Sequence, residues 1–307
     1  MRCLVTGGAG FIGSNLVDAL VARGDEVRVI DDLTTGFREN LHPEATLFEA
    51  QVSDPDAVAQ AVEGCEVVFH QAAHRAVLRS VEAPLATDTA NVHGTLTILD
   101  AARVAGARRV VYASSSSVYG GADLRPTPES APLLPRSPYA VTKLTGEHYA
   151  RVYSELHGLE TVALRYFNVF GPRQRPDSMY AAVIPLFIDA LRAGNPPTVH
   201  GDGKQSRDFT YIDDVVAANL AAGTAPAEAA SGNAYNIACG GEHSLLDLLE
   251  HLSAILDVHI EPSFADRRAG DVRHSCADVS AAARDLGWQA NVTFRDGLER
   301  TVAALLR

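Results

Sequence analysis

Residues 2–23 read RCLVTGGAGFIGSNLVDALVAR, and the expected fold follows from this stretch. The apolar run Cys3-Leu4-Val5 predicts a strand, and the spacing of apolar residues over 12–23 predicts a helix that ends at Gly24. The glycines between them permit a tight turn and a close approach of the backbone to a ligand. Strand, glycine turn and helix together predict a site for a dinucleotide pyrophosphate at the helix N-terminus.

Two spacings of glycine fit such a turn. Gly8, Gly10 and Gly13 satisfy G-x-G-x-x-G, and Gly7, Gly10 and Gly13 satisfy G-x-x-G-x-x-G. A glycine motif alone is a weak indicator, but this one follows a predicted strand and opens a predicted helix.

Asp31 ends the second predicted strand, where its carboxylate can accept hydrogen bonds from an adenosine ribose and repel a 2′-phosphate. The expected cofactor is therefore NAD rather than NADP.

The alternation of strand and helix continues through the first half of the chain. Apolar runs predict strands at 27–30, 46–48, 66–69, 109–112 and 161–164, and helical patterns occupy 56–63, 91–105 and 139–157. This order predicts an α/β fold with a doubly wound parallel sheet of the Rossmann type. After residue 170 proline and glycine become dense, which predicts a second, smaller substrate-binding domain. We expect an NAD-binding domain over 1–170, with segments near 211–238 returning to it, and a second domain that mainly binds the substrate over 171–307.

Composition narrows the class of protein. The chain has 307 residues, 47% of them hydrophobic, and a net charge of −12 with a pI near 5.3. This is the composition of a folded globular protein, and its acidity argues against nucleic acid or an anionic membrane surface as a partner. No run approaches the ~20 apolar residues of a membrane span, and the chain opens on a strand without a secretory signal pattern. The four cysteines lack metal-binding spacing, so we expect reduced thiols, no metal and a cytoplasmic location.

A tyrosine and a lysine open the long helical pattern over 139–157. Tyr139 and Lys143 share one face of that helix, and an ammonium beside a phenol would lower the tyrosine pKa toward the value that a general base needs. The run Ala113-Ser114-Ser115-Ser116-Ser117 lies at the carboxyl end of a predicted strand, where ligands bind. One of its hydroxyls can therefore bond the reacting oxygen of a substrate.

The glycine turn, Asp31, the serine run and the Tyr139/Lys143 pair resemble those of the extended short-chain dehydrogenase/reductases. The resemblance spans essentially the whole chain. Three further segments are similar to the nucleotide-sugar branch of that family: RYFNVFGPRQ at 165–174, SRDF at 206–209 and RAGD at 268–271. Within the branch the chain looks most like the UDP-glucose and UDP-N-acetylglucosamine 4-epimerases. The resemblance implies an enzyme that binds NAD and a UDP-sugar, and a homodimer formed through the helices at 91–105 and 139–157.

The resemblance also implies roles for individual residues. Tyr139 would be the catalytic base, Lys143 its partner and Ser115 the hydroxyl that bonds the sugar 4-oxygen. Cofactor contacts would come from Gly7, Gly10, Phe11, Ile12, Gly13, Asp31, Asp32, Gln51, Val52, Gln71, Ala72, Ala73, Tyr139, Lys143 and Tyr166. Substrate contacts would come from Ser115, Tyr139, Asn168, Arg207, Arg268, Asp271 and Ser275, with the two arginines neutralising the diphosphate.

Two positions depart from the pattern of related epimerases. Where these often carry Asp-Ile against the adenine, this chain reads Gln51-Val52, and Asp54 is an alternative adenine partner. Ser275 falls where some epimerases carry a bulky side chain against the sugar. A small residue there predicts room for a 2-N-acetyl group, and so activity on UDP-GlcNAc and UDP-GalNAc as well as on UDP-glucose and UDP-galactose.

The resemblance leaves several reactions to compare. The 4,6-dehydratases carry an Asp and a Glu just before V-Y-G, and the decarboxylases carry a Glu there. Here Ser116 and Ser117 occupy these positions and cannot transfer those protons near neutral pH. Redox-neutral epimerisation through a transient 4-keto sugar is therefore the leading expectation. A UDP-glucuronate 4-epimerase, a 4-keto-sugar reductase and a non-catalytic NAD-binding sensor stay open as alternatives, although such sensors typically lack the Tyr/Lys pair.

Overall fold

The structure is a computed structural model, and it describes residues 1–75, 77–121, 124–174, 182–267 and 272–306. Its strands are β1 (Arg2–Thr6), β2 (Glu26–Asp31), β3 (Thr46–Glu49), β4 (Val67–His70), β5 (Arg109–Ser115), β6 (Glu160–Tyr166), β7 (Val169–Phe170), β8 (Thr198–His200), β9 (Ser206–Arg207), β10 (Thr210–Tyr211), β11 (Asn233–Ile237), β12 (His243–Ser244) and β13 (Ser263–Ala265). Its helices are α1 (Phe11–Ala22), α2 (Pro55–Val62), α3 (Val77–Glu82), α4 (Pro84–Asp88), α5 (Gly94–Val104), α6 (Pro138–His157), α7 (Val183–Arg192), α8 (Ile212–Thr224), α9 (Ala227–Ala230), α10 (Leu245–Leu256), α11 (Ser280–Leu286) and α12 (Phe294–Leu305). One π-helical turn, Thr89–His93, leads into α5, and 3₁₀ turns span Arg38–Asn40 and Ser116–Tyr119. None of the helices in these ranges is both long and apolar enough to span a bilayer.

Within the described residues, seven strands form one sheet in the order β11-β6-β5-β4-β1-β2-β3. Every neighbouring pair runs parallel. Parallel neighbours need crossover connections, usually helices, which explains the alternation of patterns in the sequence. The predicted doubly wound parallel sheet is thereby confirmed. The strand order reverses between β1 and β4, where such sheets open a crevice at the carboxyl ends of the strands.

The seventh strand of the sheet comes from late in the chain. β11 pairs with β6, from Asn233 beside Val162 to Ile237 beside Tyr166. Helix α8, which lies before α9 and β11 in the same segment, packs against α1 on one face of the sheet. The segment that carries α8 and β11 thus returns to the sheet after the chain has left it at β6.

Apolar side chains cover both faces of the sheet. On one face Leu16 and Leu20 of α1 pack in the same cluster as Val215 of α8, and on the other Val58 of α2 packs with Ile98 of α5. All five side chains are at most 1% exposed. Burying a side chain of this size contributes about 1.5–3 kcal/mol, so the two apolar layers hold the strand ends in a fixed arrangement.

Ser137 sets the start of α6. Its hydroxyl accepts a hydrogen bond from the N–H of Ala140 (3.1 Å), and Pro138 stands in the first turn, where its missing N–H is not needed. Gly158 ends the helix in the left-handed conformation, with φ of 69°. The cap lies just before Tyr139, so the start of the helix determines where that side chain stands relative to the sheet.

The second lobe consists of short elements around α7, α10 and α12. Three two-stranded pairs, β7 with β10, β8 with β13 and β9 with β12, join its loops. Phe209 and Phe294 stack with their ring centres 5.2 Å apart, and Phe170 meets Phe294 edge to face. These rings belong to the same apolar cluster as α1 and α8, so the two lobes share a core.

The cysteines are free thiols, as the sequence predicts. Cys3, Cys65 and Cys276 are buried, and Cys239 is half-buried. Burial raises the pKa of Cys3 to about 12 and that of Cys65 to about 11, so neither thiol ionises near neutral pH. In the described part of the chain, no group of three or more His, Cys, Asp or Glu side chains is arranged to hold a metal ion.

Asp208 connects three loops of the second lobe. It is fully buried, and its carboxylate accepts hydrogen bonds from the N–H groups of Cys239 (2.9 Å), Gly240 (3.1 Å) and Ala277 (3.1 Å). Burial raises its pKa from 3.8 to about 6, although these donors favour the ionised form. Because the folded pKa lies above the unfolded one, the contribution of Asp208 to stability falls as the pH rises through that interval.

Asp208→Asn should lower the free energy of unfolding by about 1–3 kcal/mol, because an amide group facing three backbone N–H groups leaves buried donors without an acceptor. Urea denaturation near neutral pH measures this loss. Asp202→Asn is the control, since Asp202 forms an exposed ion pair with Arg273 (2.7 Å) and such pairs contribute little. Equal losses in the two variants would contradict the role given to Asp208.

Candidate active site

A cavity of about 500 Å³ opens at the carboxyl ends of the sheet strands. It lies beside the reversal of strand order between β1 and β4. The predicted site residues that line it are Gly7, Gly10, Phe11, Ile12, Gly13, Asp31, Asp32, Gln51, Val52, Gln71, Ala72, Ala73, Ser115, Tyr139, Lys143, Tyr166 and Asn168. They follow the ends of β1 to β6 or lie on α6, so residues distant in the sequence share one cavity.

Gly7 and Gly13 explain why the turn after β1 is rich in glycine. Gly7 has φ of +68°, and a Cβ there would lie 2.9 Å from the backbone that follows β4. A Cβ on Gly13 would lie 2.1 Å from the carbonyl oxygen of Gly7, so α1 can approach the turn only without a side chain. Gly8 instead faces Val29, whose Cγ1 would lie 2.6 Å from a Cβ. Of the two glycine spacings in the sequence, the one that starts at Gly7 is the one that lines the cavity.

The N-terminus of α1 opens into the cavity without a neutralising group. Gly10, its N-cap, offers no side-chain hydrogen bond, and the first turn has no acidic residue. Unpaired N–H groups and the helix dipole make such an end a site for an anion. Arg75 lines the same cavity; partial desolvation lowers the pKa of its guanidinium, and the Tyr139 phenol acts in the opposite direction. The helix end and this guanidinium together fit the diphosphate of a dinucleotide.

Asp31 stands at the end of β2 on the wall of the cavity. Its Oδ2 accepts a hydrogen bond from the N–H of Ala9 and its Oδ1 from that of Leu33, both at 2.9 Å. Each carboxylate oxygen can accept a second hydrogen bond, so the group can still bond ribose hydroxyls. Burial raises the pKa of Asp31. Asp32 lies at the exposed edge of the cavity, where it accepts from the N–H of Thr34 (3.0 Å).

Gln51 and Val52 line the cavity after β3, at the place expected to meet the adenine. Asp54 has another function. Its Oδ1 accepts hydrogen bonds from the N–H groups of Asp56 (3.1 Å) and Ala57 (3.2 Å), so it caps α2. Asp54 does not line the cavity, and its cap bonds hold its carboxylate at the start of α2, so the structure gives no support to Asp54 as an alternative adenine partner.

Lys143 and Tyr139 meet on the cavity wall, but their electrostatic relation differs from the expectation. The Lys143 ammonium donates to the carbonyl of Ala113 (2.7 Å), and its Nζ lies 6.0 Å from the centre of the Tyr139 ring. Burial lowers the pKa of Lys143 to about 7 and raises that of Tyr139. The groups that lower the Tyr139 pKa are the hydrogen-bonded Ser115 hydroxyl and the charge of Arg75. The expectation that Lys143 lowers it is wrong, because desolvation outweighs an ammonium at this distance.

Hydrogen bonds fix the remaining wall residues. Ser115 Oγ accepts from the N–H of Ser117 (3.2 Å), which holds the end of β5 against the following turn. The Tyr166 hydroxyl donates to Gln71 Oε1 (3.1 Å) and accepts from Asn219 Nδ2 (2.8 Å). Three segments, the ends of β4 and β6 and the helix α8, are thus joined at the floor of the cavity.

Four of the predicted substrate residues are not placed on this wall. Arg207 lies in β9, where its Nη1 donates to the carbonyl of Ser206 (2.8 Å), and Ser275 lies farther along the second lobe; neither lines the cavity. Arg268 and Asp271 fall outside the described residues. Asn168 does line the cavity, and its Nδ2 donates to the carbonyl of Asp208 (3.3 Å).

Several lining residues were not foreseen from the sequence. Arg75 had one available signal, a basic residue just after a strand end in an acidic chain. The π-helical turn before α5 merges with that helix in the sequence pattern, so its inward-facing residues gave no separate signal. The lining residues outside the predicted set include Thr34, Thr35, Gly36, Ser53, His74, Arg75, Ala86, Thr89 and Ala90.

The chain belongs to the NAD dependent epimerase/dehydratase family, whose profile matches residues 3–238. A UDP-glucose 4-epimerase of Mycolicibacterium smegmatis is 42% identical over 309 residues, which cover 98% of this chain and 97% of that protein. The resemblance to the extended short-chain dehydrogenase/reductases is thus confirmed.

Solved structures have the same architecture. UDP-glucose 4-epimerase of Thermotoga maritima with UDP-glucose is 35% identical and superposes with a TM-score of 0.95, covering 100% of this chain and 99% of that one. UDP-N-acetylglucosamine 4-epimerase of Methanobrevibacter ruminantium, in complex with UDP-N-acetylmuramic acid, is 38% identical with a TM-score of 0.94, covering 99% and 98%. The Thermus thermophilus UDP-glucose 4-epimerase complex with NAD is 34% identical with a TM-score of 0.90, covering 100% and 99%. The cofactor of this chain is NAD, as predicted.

The relatives do not all carry the name of one reaction. A UDP-glucuronic acid decarboxylase of Arabidopsis thaliana is 34% identical, and a dTDP-glucose 4,6-dehydratase of an Actinoplanes strain is 35% identical, each over 99% of this chain. Family membership therefore leaves the type of reaction to be argued from the residues around Ser115 and Tyr139.

The position of Asp31 predicts discrimination between the two dinucleotides. The protein freed of cofactor should bind NAD at least ~100-fold more tightly than NADP, because a 2′-phosphate would meet a buried carboxylate of like charge. Asp31→Ser should reduce that ratio about tenfold or more in titration calorimetry. Asp32→Ser removes a charge at the exposed edge and should change the ratio less. Equal affinities of the wild-type protein for NAD and NADP would contradict this assignment.

Proposed function

We propose that this protein is an NAD-dependent UDP-sugar 4-epimerase, an isomerase that interconverts UDP-glucose and UDP-galactose through a transient 4-keto sugar. The observation that carries the proposal is the placement of Ser115, Tyr139 and Lys143 together on the wall of a cavity that begins at a dinucleotide turn. A sugar 4-hydroxyl placed against Ser115 and Tyr139 meets a hydrogen-bonding hydroxyl and a proton acceptor together. Similarity to UDP-glucose 4-epimerases over nearly the whole chain supports the same reaction.

Each group of the wall has one task in this proposal. Tyr139 accepts the proton of the 4-hydroxyl and returns it when the product forms. Ser115 bonds the same oxygen and holds it toward Tyr139. Lys143 would bond the nicotinamide ribose from the same helix face and so hold the cofactor beside Tyr139, as the family resemblance implies. When bound, the nicotinamide ring supplies the hydride acceptor and donor. Oxidation and reduction cancel, so no added reductant is consumed.

The parts of the cofactor are assigned to residues by the charge or hydrogen-bonding group that each residue presents to the cavity. The first turn of α1 and Arg75 hold the diphosphate, Asp31 holds the adenosine ribose, and Gln51 bonds the adenine amino group. All of them line the cavity. Arg75 supplies a local positive charge in a chain whose net charge is −12, which an anionic cofactor requires.

The acidic groups of the cavity argue against the dehydratase and decarboxylase reactions. Ser116 and Ser117 open the 3₁₀ turn after Ser115, and hydroxyls cannot replace a carboxylic acid and a carboxylate near neutral pH. Among the described residues that line the cavity, the carboxylates are Asp31 and Asp32, at the end proposed for adenosine. No carboxylate of that set is therefore available beside Tyr139 to eliminate water.

We propose the UDP contacts from the family motifs. Asn168 lies near the phosphates, Arg207 and Arg268 neutralise the diphosphate, and Asp271 bonds the uridine ribose. The support from the structure is the hydrogen bond from Asn168 to the carbonyl of Asp208, which extends the cavity wall toward the strand that carries Arg207. Guanidinium groups suit this task because they bond phosphate oxygens in pairs.

We also propose that the protein accepts UDP-GlcNAc and UDP-GalNAc. The 4-keto sugar must turn over between two orientations, so the pocket needs volume for the 2-substituent in both. The support is the family pattern, in which the position of Ser275 lies beside the sugar although Ser275 does not line the cavity of this structure, and similarity to a relative named UDP-N-acetylglucosamine 4-epimerase. Steric exclusion from a packed pocket costs on the order of 1–3 kcal/mol, enough for a tenfold change in specificity.

Two proposals concern organisation. Residues 1–170, with the segments near 211–238, bind NAD, and 171–307 mainly bind the UDP-sugar; the pairing of β11 with β6 supports the returning segment.

A homodimer formed through α5 and α6 is supported by apolar side chains that these helices expose, with Val104 70%, Val152 42% and Leu156 72% exposed. A second copy packed against these helices would remove that apolar surface from water.

Tyr139→Phe should lower kcat by ~10²–10⁴ while NAD and UDP-sugar remain bound, because it removes the proton acceptor and keeps the ring. Turnover is read by NMR of UDP-sugars incubated without added reductant. Tyr149→Phe removes a hydroxyl on the same helix away from the cavity and should leave kcat unchanged. Near wild-type turnover in Tyr139→Phe would remove Tyr139 from the mechanism.

Ser275→Tyr should selectively impair the acetylated pair, because a phenol ring would fill the volume that the acetyl group needs. The ratio of kcat/KM for UDP-GlcNAc to that for UDP-glucose should fall about tenfold or more. Ser280→Tyr, on the exposed first turn of α11, is the control and should leave the ratio unchanged. The assignment of Ser275 is wrong if wild-type protein converts only the non-acetylated sugars, or if Ser275→Tyr leaves the ratio as it was.

A further inference from the structure

A buried ion pair lies directly behind the proposed catalytic wall. Arg165 on β6 and Glu147 on α6 are 5% and 7% exposed. Arg165 Nε donates to Glu147 Oε1 (3.0 Å) and Nη2 donates to Oε2 (2.7 Å), so the guanidinium holds the carboxylate with two bonds. Burying such a pair rarely adds stability relative to an apolar pair of the same size. A contribution to the reaction is therefore a better explanation of its presence than stability.

The carboxylate also reaches the strand that carries Ser115. The Ser114 hydroxyl donates to Glu147 Oε1, and Ser114 immediately precedes Ser115 at the end of β5. The bond joins β5 to α6 close to the hydroxyl that faces the cavity. A shift of Glu147 would therefore move Ser115 relative to Tyr139, which lies on the same helix as Glu147.

The guanidinium extends the network toward the returning strand. Arg165 Nη1 donates to the Tyr119 hydroxyl (2.8 Å) and to the carbonyl of Glu129 (3.1 Å). The Tyr119 hydroxyl in turn donates to Asn236 Oδ1 on β11 (2.7 Å). Arg165 immediately precedes Tyr166, another wall residue. The pair therefore has fixed partners on both sides and cannot rotate independently.

Lys143 lies one helical turn before Glu147, on the same face of α6. Desolvation lowers the pKa of Lys143 to about 7, and the negative charge of Glu147 acts in the opposite direction. The other groups that face Lys143 are the Tyr139 phenol on α6, the Tyr112 phenol and the Ala113 carbonyl on β5, and the imidazole of His70 on β4. Burial lowers the pKa of His70 to about 3 and raises that of Tyr112, so both are neutral near pH 7. Of these groups, Glu147 is the one that carries a negative charge.

We propose that Glu147 is a positioning residue for the reaction: its carboxylate holds Ser114, and with it Ser115, against α6, and it keeps Lys143 in the ammonium form within a desolvated wall. Arg165 is the counter-ion that holds the carboxylate in place with two hydrogen bonds. The inference rests on the proposed function, in which Ser115 bonds the substrate and Lys143 holds the cofactor beside Tyr139.

The lysine content of the chain makes the electrostatic part directly measurable. The sequence contains two lysines, Lys143 and Lys204. Protein labelled with ¹³C-lysine, purified with its bound NAD, should therefore show two sets of side-chain resonances, and Lys204→Arg identifies the one from Lys143. A pH titration of that resonance reports the charge of Lys143 without any substrate.

The two members of the pair should shift this titration in opposite directions. Glu147→Gln removes the negative charge and should lower the Lys143 pKa by about one unit or more, whereas Arg165→Met removes the counter-ion and should raise it. Because each single change leaves a buried charge unpaired, the double variant Glu147→Gln/Arg165→Met is the matched control for folding. It should remain folded and still show the lowered Lys143 pKa. A Lys143 titration unchanged from wild type in the double variant, or shifts of the same sign in the two single variants, would overturn the proposal.

Kinetics of the double variant test the positioning of Ser115. At a pH above the new Lys143 pKa, kcat should fall about tenfold or more while KM for the UDP-sugar stays within about twofold, since the variant alters the reacting wall and not the UDP contacts. The decline of kcat with rising pH should begin at lower pH than in the wild type. An unchanged pH profile would overturn the proposal. The lysine titration tests the role of Glu147 without any substrate, whereas the Tyr139→Phe kinetics test the reaction itself. A wrong role for Glu147 can therefore be distinguished from a wrong reaction type.

Discussion

The reversal of strand order between β1 and β4 is the constraint on which the rest of the structure depends. The helices that follow these strands pass to opposite faces of the sheet, so no crossover covers the crevice between their carboxyl ends. Gly7 and Gly13 let α1 begin at this crevice, because a Cβ on either would collide with backbone atoms. The neighbouring strands β5 and β6 end at the same edge and bring Ser115 and Tyr166 to it. A dinucleotide site and a proton-transfer pair therefore share one cavity.

The parts of this arrangement that arise from local patterns could be predicted from the sequence. The apolar runs, the helical spacings and the glycine turn each need only neighbouring residues, and together they place Asp31 and Ser115 at strand ends. The shared helix face of Tyr139 and Lys143 follows from a spacing of four residues. Lining residues such as Gln71 were named only through the resemblance to a known family, because no local pattern distinguishes them.

The features that could not be predicted depend on contacts between distant segments. Arg75 follows β4 in a stretch without periodicity, and its place in the cavity depends on how that stretch folds back. Lys143 turns toward the carbonyl of Ala113 on β5, so the balance between its charge and its desolvation is a property of the packed wall. Arg207 and Ser275 are not among the residues that line the cavity, and the short elements of the second lobe that surround them give little periodic signal. For Asp54 a signal existed, since an aspartate before a proline is a frequent helix start.

In the proposed reaction, oxidation and reduction occur at one carbon within a single catalytic cycle. Incubation of the protein with UDP-glucose that carries deuterium at C4, without added reductant, tests this claim most directly, with the product analysed by NMR and mass spectrometry. The account predicts UDP-galactose that keeps the deuterium at C4, and no net formation of NADH. Loss of the deuterium, formation of a 4-keto-6-deoxy sugar, or a requirement for stoichiometric NADH would contradict it.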